Sequence, residues 1–343
     1  MISLLHILHY SRRHESKGEA RFLQYLLGTI KGMGHAPEVD GAGNIWVEVG
    51  SPKDYPFLFV AHVDTCHKME GDVKTMAYTI GQDEFIGLTN KEMGCLGADD
   101  GVGVYVNLRM MNAGIKGTYL FTRGEEKGLI GADYIVDKMS DRLSQYLLSV
   151  EVDRQGTTEI ITEQCTGMGA SDKFARALSD QLGMGHKPSN MGIYTDNSVF
   201  NGYIPENVNI AAGYDRQHTP KERVNVFYVE RLIECMLRVD WSALPIKRDT
   251  WDYGEAYQMN DERYYSLGYL SHGQQAPTHL SGLGVYGADH RDQEGFRDKE
   301  IDKQLLEEYT WMNGDRVAHY LHSMGITASE INIYWESSND LPF

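Results

Sequence analysis

The 343-residue chain is poor in basic charge, with 32 Lys and Arg against 49 Asp and Glu and a formal net charge of −17. No stripe of Lys or Arg is evident, which excludes nucleic acid as a partner, because phosphate neutralisation needs clustered cations. There are only four cysteines, Cys66, Cys95, Cys165 and Cys235, far apart and with no C-x-x-C among them. That excludes a zinc ribbon or a dithiol redox motif and predicts reduced thiols in a cytoplasmic protein. No apolar run approaches the ~20 residues of a membrane-spanning helix, so no membrane partner is expected. The opening Met1–Leu8 is apolar but short, has no basic segment before it and no small-residue cleavage site, and predicts no signal peptide. G-x-S-x-G is absent, which removes the common serine-hydrolase reading.

What is present is an alternation of strand-like and helix-like stretches. Ser16 to Met33 carries apolar residues at helical spacing, with Ser16 and Glu19 placed as a capping box and Gly34 as the stop. Ile45–Val49 reads as a strand, and Phe57–Val60 opens a buried one ending in Ala61-His62-Val63-Asp64. Thr75–Leu88 reads as a hairpin turning at Gly81-Gln82-Asp83. Leu96-Gly97-Ala98-Asp99-Asp100-Gly101 reads as a loop feeding a helix that runs to Met111. Gly117–Thr122 reads as a strand ending at Arg123-Gly124-Glu125-Glu126, and Gly131–Met139 as a helix. Leu147–Asp153 is a further strand ending in an acid, and Ser171–Leu182 a helix. Gly192–Phe200 is expected to be a polar loop holding Asp196, Val208–Ala212 a strand, Gly213–Val224 a loop with His218, and Val226–Val239 a helix. This order predicts an α/β fold with a mixed, mostly parallel central sheet and helices on both faces.

The texture changes after Pro245. Residues 246–343 hold eight basic and seventeen acidic residues and nine tyrosines. Residues 1–245 are therefore expected to form one domain, and 246–343 an acidic, Tyr-rich C-terminal extension in which 298–324 has helical character.

Five strand-end or loop positions stand in order: His62 with Asp64, Asp99, Glu125-Glu126, Asp153 and His218. Alone, each has a bland reading: a surface pair, a helix-capping acid, a solvated Glu-Glu loop. Jointly they supply the mixed imidazole and carboxylate donors that divalent ions take. Two ions ~3.5–4 Å apart need one bridging carboxylate and about two further ligands each, and a hydrolase also needs a general base beside the attacking water.

The pieces AHVDT, LGADDGVGV, FTRGEEKGLIGA, VEVD and HTPKERV, in this order, resemble the co-catalytic zinc exopeptidases. That group includes bacterial leucyl aminopeptidases, glutamate carboxypeptidases, peptidase T and the acetylornithine deacetylase-like enzymes. The resemblance covers about residues 15–240. It implies the zinc-dependent exopeptidase fold and two divalent cations, zinc first among them. It implies His62 and Asp153 as ligands of one ion, Asp99 as the bridge, and Glu126 and His218 as ligands of the other. It makes Glu125 the general base and Asp64 the residue that orients His62. The Asp99-Asp100 peptide bond is expected to be cis. The interval of 65 residues from Asp153 to His218 leaves no room for a lid domain, so the compact aminopeptidase type fits best. The loop Thr195–Phe200 is similar to that type's substrate loop but carries Asn197 in place of histidine. The implied substrate is a small peptide. An N-acyl amino acid, a carboxypeptidase specificity and an inactive binding protein on this fold are the alternatives.

Overall fold

The computed structural model describes residues 2–250, and the expectations made for 251–343 lie outside the described residues. In chain order the helices are α1 (Leu4–Leu8), α2 (Lys17–Gly32), α3 (Ala98–Asn112), α4 (Ile130–Leu143), α5 (Asp172–Leu182) and α6 (Val226–Met236). The strands of the first half are β1 (Glu38–Val39), β2 (Ile45–Val49), β3 (Phe57–His62), β4 (Thr75–Ile80), β5 (Asp83–Leu88), β6 (Gly117–Thr122) and β7 (Leu148–Arg154). Those of the second half are β8 (Glu159–Ile161), β9 (Glu163–Gln164), β10 (Gly167–Met168), β11 (Lys187–Ser189), β12 (Glu206–Ala211), β13 (Tyr214–Asp215) and β14 (Arg223–Asn225).

Eight strands form the main sheet in the order β1-β2-β6-β3-β7-β12-β8-β11. The four central strands β6, β3, β7 and β12 run parallel, while β2 joins β6 and β8 joins β12 antiparallel. The central run Phe57–Ala61 is apolar without alternation because both faces of β3 are covered. Phe59, Ala61, Tyr119, Phe121 and Val150 pack into a core with α2, α3 and α6. Leu58, Val60, Leu120 and Trp46 face the other way, onto Ile135 and Leu143 of α4 and onto Phe200. Each such side chain contributes roughly 1.5–3 kcal/mol on burial, so this double-sided packing fixes the register of β3 against its neighbours.

The helix and strand expectations hold for the long elements, with shifts at their ends. Ser16 caps α2 by accepting from the backbone N of Glu19 at 3.1 Å. The reciprocal half of the capping box differs: the Glu19 carboxylate accepts from Glu15 N and from the Arg123 guanidinium, a stronger charged partner. The helix read over 131–139 extends to Leu143, with Met139 off helical geometry. The loop read over 192–200 ends in a buried 3-10 turn at Asp196–Phe200. The loop read over 213–224 contributes β13 and β14 to a second sheet of order β13-β14-β5-β4, so His218 sits on a hairpin connection. Residues 154–217 are taken up by the main sheet, α5 and short ladders, and no separate lid occurs among the described residues. Just past the expected domain end, Lys247 and Arg248 donate backbone hydrogen bonds to Glu206, and the Arg248 guanidinium reaches the carbonyls of Asn201 and Ile204.

Candidate metal centre

The parallel order of β6, β3 and β7 brings three carboxyl ends side by side, the place where open α/β sheets gather chemistry. His62 ends β3 and pairs with Thr122, the last residue of β6. Glu125 and Glu126 follow β6 in a short 3-10 turn, and Asp153 lies at the end of β7. Asp99 and Asp100 open α3, joined by a cis peptide bond as expected. His218 arrives from the β13–β14 connection with a left-handed φ of 61°, a conformation that costs a non-glycine residue about 1–2 kcal/mol.

All seven residues expected from the sequence meet here. Asp99 turns its two carboxylate oxygens to different imidazoles: Oδ1 lies 3.0 Å from His62 Nε2 and Oδ2 lies 3.0 Å from His218 Nε2. Asp153 Oδ1 stands 3.7 Å from His62 Nε2, and Glu126 Oε1 stands 3.0 Å from His218 Nε2. Glu125 Oε2 is 3.9 Å from His62 Nε2. Asp100, the neighbour of Asp99, is engaged with backbone: it accepts from His62 N at 3.2 Å and from Gly103 N at 2.8 Å. Gly103 is required there, since a Cβ would lie 2.3 Å from the Asp100 carboxylate.

Asp64 works mainly on the glutamate turn. Its Oδ1 accepts from the backbone N of Gly124 and Glu125 at 2.8 and 3.1 Å, and its Oδ2 from Glu126 N at 3.3 Å. The hydrogen-bonding contact of His62 Nδ1 is with the Asp64 backbone carbonyl at 3.1 Å, while the Asp64 carboxylate is 3.7 Å from that nitrogen. Tyr214 donates its hydroxyl to Asp153 Oδ1 at 2.8 Å. Asn197 is buried, donating to Val208 O and accepting from Gln164, so this side chain is occupied in packing the 195–200 turn. Asp196 beside it is also buried and accepts from Thr122 Oγ1.

Three contributors were not legible in the sequence. Glu222 is buried and its carboxylate accepts four backbone N–H groups, those of Leu96, Gly97, Ala98 and Asp99, at 2.7–3.1 Å. It thereby fixes the loop that presents Asp99. Its place in Lys-Glu-Arg reads as a solvated turn, and its spacing of four from His218 is the only local signal. Arg12 reads as a polar flank, yet it is fully buried and donates to the carbonyls of Val63, Ile7 and Gly97, tying both ligand loops to α1. Glu151, two residues before Asp153, is buried and accepts from Asn197 N. A surface cavity of about 730 Å3 near α5 and α6, lined by Phe227, Arg231 and Arg238 among others, contains none of these residues.

The site is short of positive charge. Asp64, Asp99, Asp100, Glu151 and Asp196 are all buried within it. Burial alone would lower both imidazoles, but Asp153, Asp99 and Glu125 outweigh it at His62, and Glu126 and Asp99 at His218. Both pKa values are held well above the ordinary range. Burial, with Asp99 beside it, raises the Asp153 carboxyl to about 7, and burial with Asp153 raises Glu151 to about 8. Burial also pushes Glu125 well up, reinforced by Glu126, Asp153 and Asp196 against the pull of His62. Glu126 Oε1 is buried and accepts no hydrogen bond, although His218 stands beside it. Donor atoms of His62, Asp99 and Glu126, of His62, Asp100 and Asp153, and of Cys66, Glu126 and His218 lie within 4.8 Å of one another. Imidazole and carboxylate donors at this spacing, in a pocket of excess negative charge, fit divalent cations.

No protein-family model matches the sequence, and no curated protein matches it. Solved structures do match. Aminopeptidase PepT from Bacillus cereus ATCC 10987 is similar at 16% identity and a TM-score of 0.57, over 68% of this chain and 95% of that one. A tripeptidase from Staphylococcus aureus subsp. aureus Mu50 is similar at 16% identity and a TM-score of 0.54, over 68% and 95%. An aminopeptidase from the archaeon Desulfurococcus kamchatkensis is similar at 15% identity and a TM-score of 0.51, over 71% and 95%. At such identities the likeness is one of fold, the fold that these two aminopeptidases and the tripeptidase have.

Proposed function

We propose that this chain is a metal-dependent peptidase that removes N-terminal residues from small peptides. The observation that carries the reading is the placement of Asp99 between two imidazoles, with a further carboxylate beside each. One position draws on His62, Asp153 and Asp99, and the other on His218, Glu126 and Asp99. When bound, two divalent cations would supply Lewis-acid polarisation of the scissile carbonyl and acidify the attacking water.

The remaining work belongs to the chain. Glu125 takes the proton of the attacking water and passes it to the departing amine. Its side chain is 12% exposed where that of Glu126 is 2% exposed, so of the two it has the access to substrate. Positioned acid–base groups of this kind contribute ~10²–10⁴-fold. Asp64 holds the backbone of residues 124–126, so Glu125 and Glu126 keep their separate directions. Tyr214 holds Asp153, and Glu222 holds Asp99.

Aminopeptidase specificity is favoured over carboxypeptidase specificity by charge. Arginines on the segments that carry the site engage acids: Arg123 with Glu19, Arg154 with Glu159 and Arg223 with Asp215. A substrate carboxylate would need such a cation, whereas a substrate ammonium suits a site with buried acids in excess. Among the described residues no helix is long and apolar enough to cross a membrane. The test is a substrate screen on the zinc-loaded full chain with free-amine di- and tripeptides, N-blocked peptides and N-acyl amino acids. Release of N-terminal residues from the free-amine peptides, abolished by chelation, is expected. Cleavage confined to N-acyl amino acids or to C-terminal residues would replace the reading by deacylase or carboxypeptidase. No hydrolysis with two ions bound would leave a binding protein.

A further inference from the structure

Cys66 lies four residues past the end of β3, on the loop that Arg12 ties down. Thr65 N donates to Arg12 O at 3.1 Å, Arg12 N donates to Thr65 Oγ1 at 3.2 Å, and the buried His67 ring also contacts Arg12 N. The loop on both sides of Cys66 is therefore fixed. Its thiol points at Glu126, with Sγ 2.9 Å from Oε2. The other Glu126 oxygen, Oε1, is buried, accepts no hydrogen bond and stands 3.0 Å from His218 Nε2. Sulfur, carboxylate and imidazole thus converge, with their donor atoms within 4.8 Å of one another.

We propose that Cys66 is a fourth protein donor to the position held by Glu126, His218 and Asp99. The proposal rests on the dinuclear reading above and deepens it by making the two positions chemically unequal. With Cys66 that position would have four protein donors, against the three that His62, Asp153 and Asp99 would offer the other. A thiolate also selects soft and borderline ions over magnesium, calcium or manganese. As the sulfur–cation bond forms, the S–H bond that now points at Glu126 Oε2 breaks and its proton passes to solvent. That oxygen is then released from accepting the thiol. A coordinated thiol is deprotonated by the ion's charge, so burial of Cys66 is no obstacle once the cation is present.

The test uses the full chain loaded with cobalt(II). The wild type should bind two equivalents and show an intense sulfur-to-cobalt charge-transfer band in the near ultraviolet. Cys66→Ser should lose that band while keeping its visible cobalt absorption, and Cys165→Ser and Cys235→Ser should keep both. In Cys66→Ser, zinc affinity at one of the two positions should fall at least about tenfold, the lower end of what loss of a ligand's supporting partner costs. A second readout needs no variant: bound zinc should protect Cys66 of the wild type from alkylation. Two cobalt equivalents with no charge-transfer band, and a spectrum unchanged in Cys66→Ser, would overturn the assignment and leave the dinuclear reading standing. Failure to bind cobalt at all would remove both.

Discussion

In the proposed mechanism two consecutive residues, Glu125 and Glu126, have different duties, and a third residue fixes the peptide planes between them. Asp64 accepts from the backbone of 124, 125 and 126, which turns one carboxylate toward His218 and leaves the other on the open side near His62. Glu125→Gln keeps the shape but cannot accept a proton. It should lower kcat by about 10²–10⁴-fold with ion content and thermal stability unchanged. Glu126→Gln should instead lose one ion, as read by metal analysis. The reverse pattern would exchange the two roles. At this scale much of the site was legible, because ligand-type residues sit at strand ends in a fixed order. Arg12 and Glu222 were not, since their partners are backbone groups of segments distant in sequence, and a charged side chain bound to carbonyls or amides leaves no pattern of its own.

Among the elements, the loop leading into α3 depends most on a single side chain. Glu222, from the connection before β14, gathers four buried N–H groups of residues 96–99. Each buried donor left without an acceptor costs about 1–3 kcal/mol. Four together would rival the whole stability of an ordinary domain. The loop must therefore rearrange or take in water when the carboxylate is removed, and Asp99 will move with it. Glu222→Ala should lower the thermal midpoint and weaken zinc binding at both positions, since Asp99 serves each. Glu222→Gln should fall between, because its amide retains one accepting oxygen. Calorimetric zinc titration with scanning of the unfolding transition measures both. Unchanged zinc affinity in Glu222→Ala would show that the loop keeps its form without this strap. The strands that were read correctly, such as β3, β6 and β7, are those whose two buried faces demand continuous apolar residues. Strands β1, β8 and β11 and the five-residue α1 were missed because two to five residues hold no period to recognise.

For the molecule as a whole, the sequence offered the alternation of strands and helices, but not the strand order. The site exists because β6 and β7 flank β3 in parallel, although β6 lies some 55 residues after β3 and is separated from it by the β4–β5 hairpin and α3. Adjacency of that kind is set by which apolar faces α3 and α4 cover, and only the packed core displays it. The hairpin, read simply as a hairpin, turns out to pair with β14 and so to support the connection that delivers His218. Five segments far apart in the chain thus meet at Asp99, which makes this residue the sharpest point of attack on the account. The decisive measurement is the zinc stoichiometry of the full-length wild type and of Asp99→Ala, by metal analysis after equilibrium dialysis. Two ions per wild-type chain are expected and close to none per Asp99→Ala chain, because the carboxylate lies between both positions. Two ions retained in Asp99→Ala, or none in the wild type, would contradict the dinuclear centre.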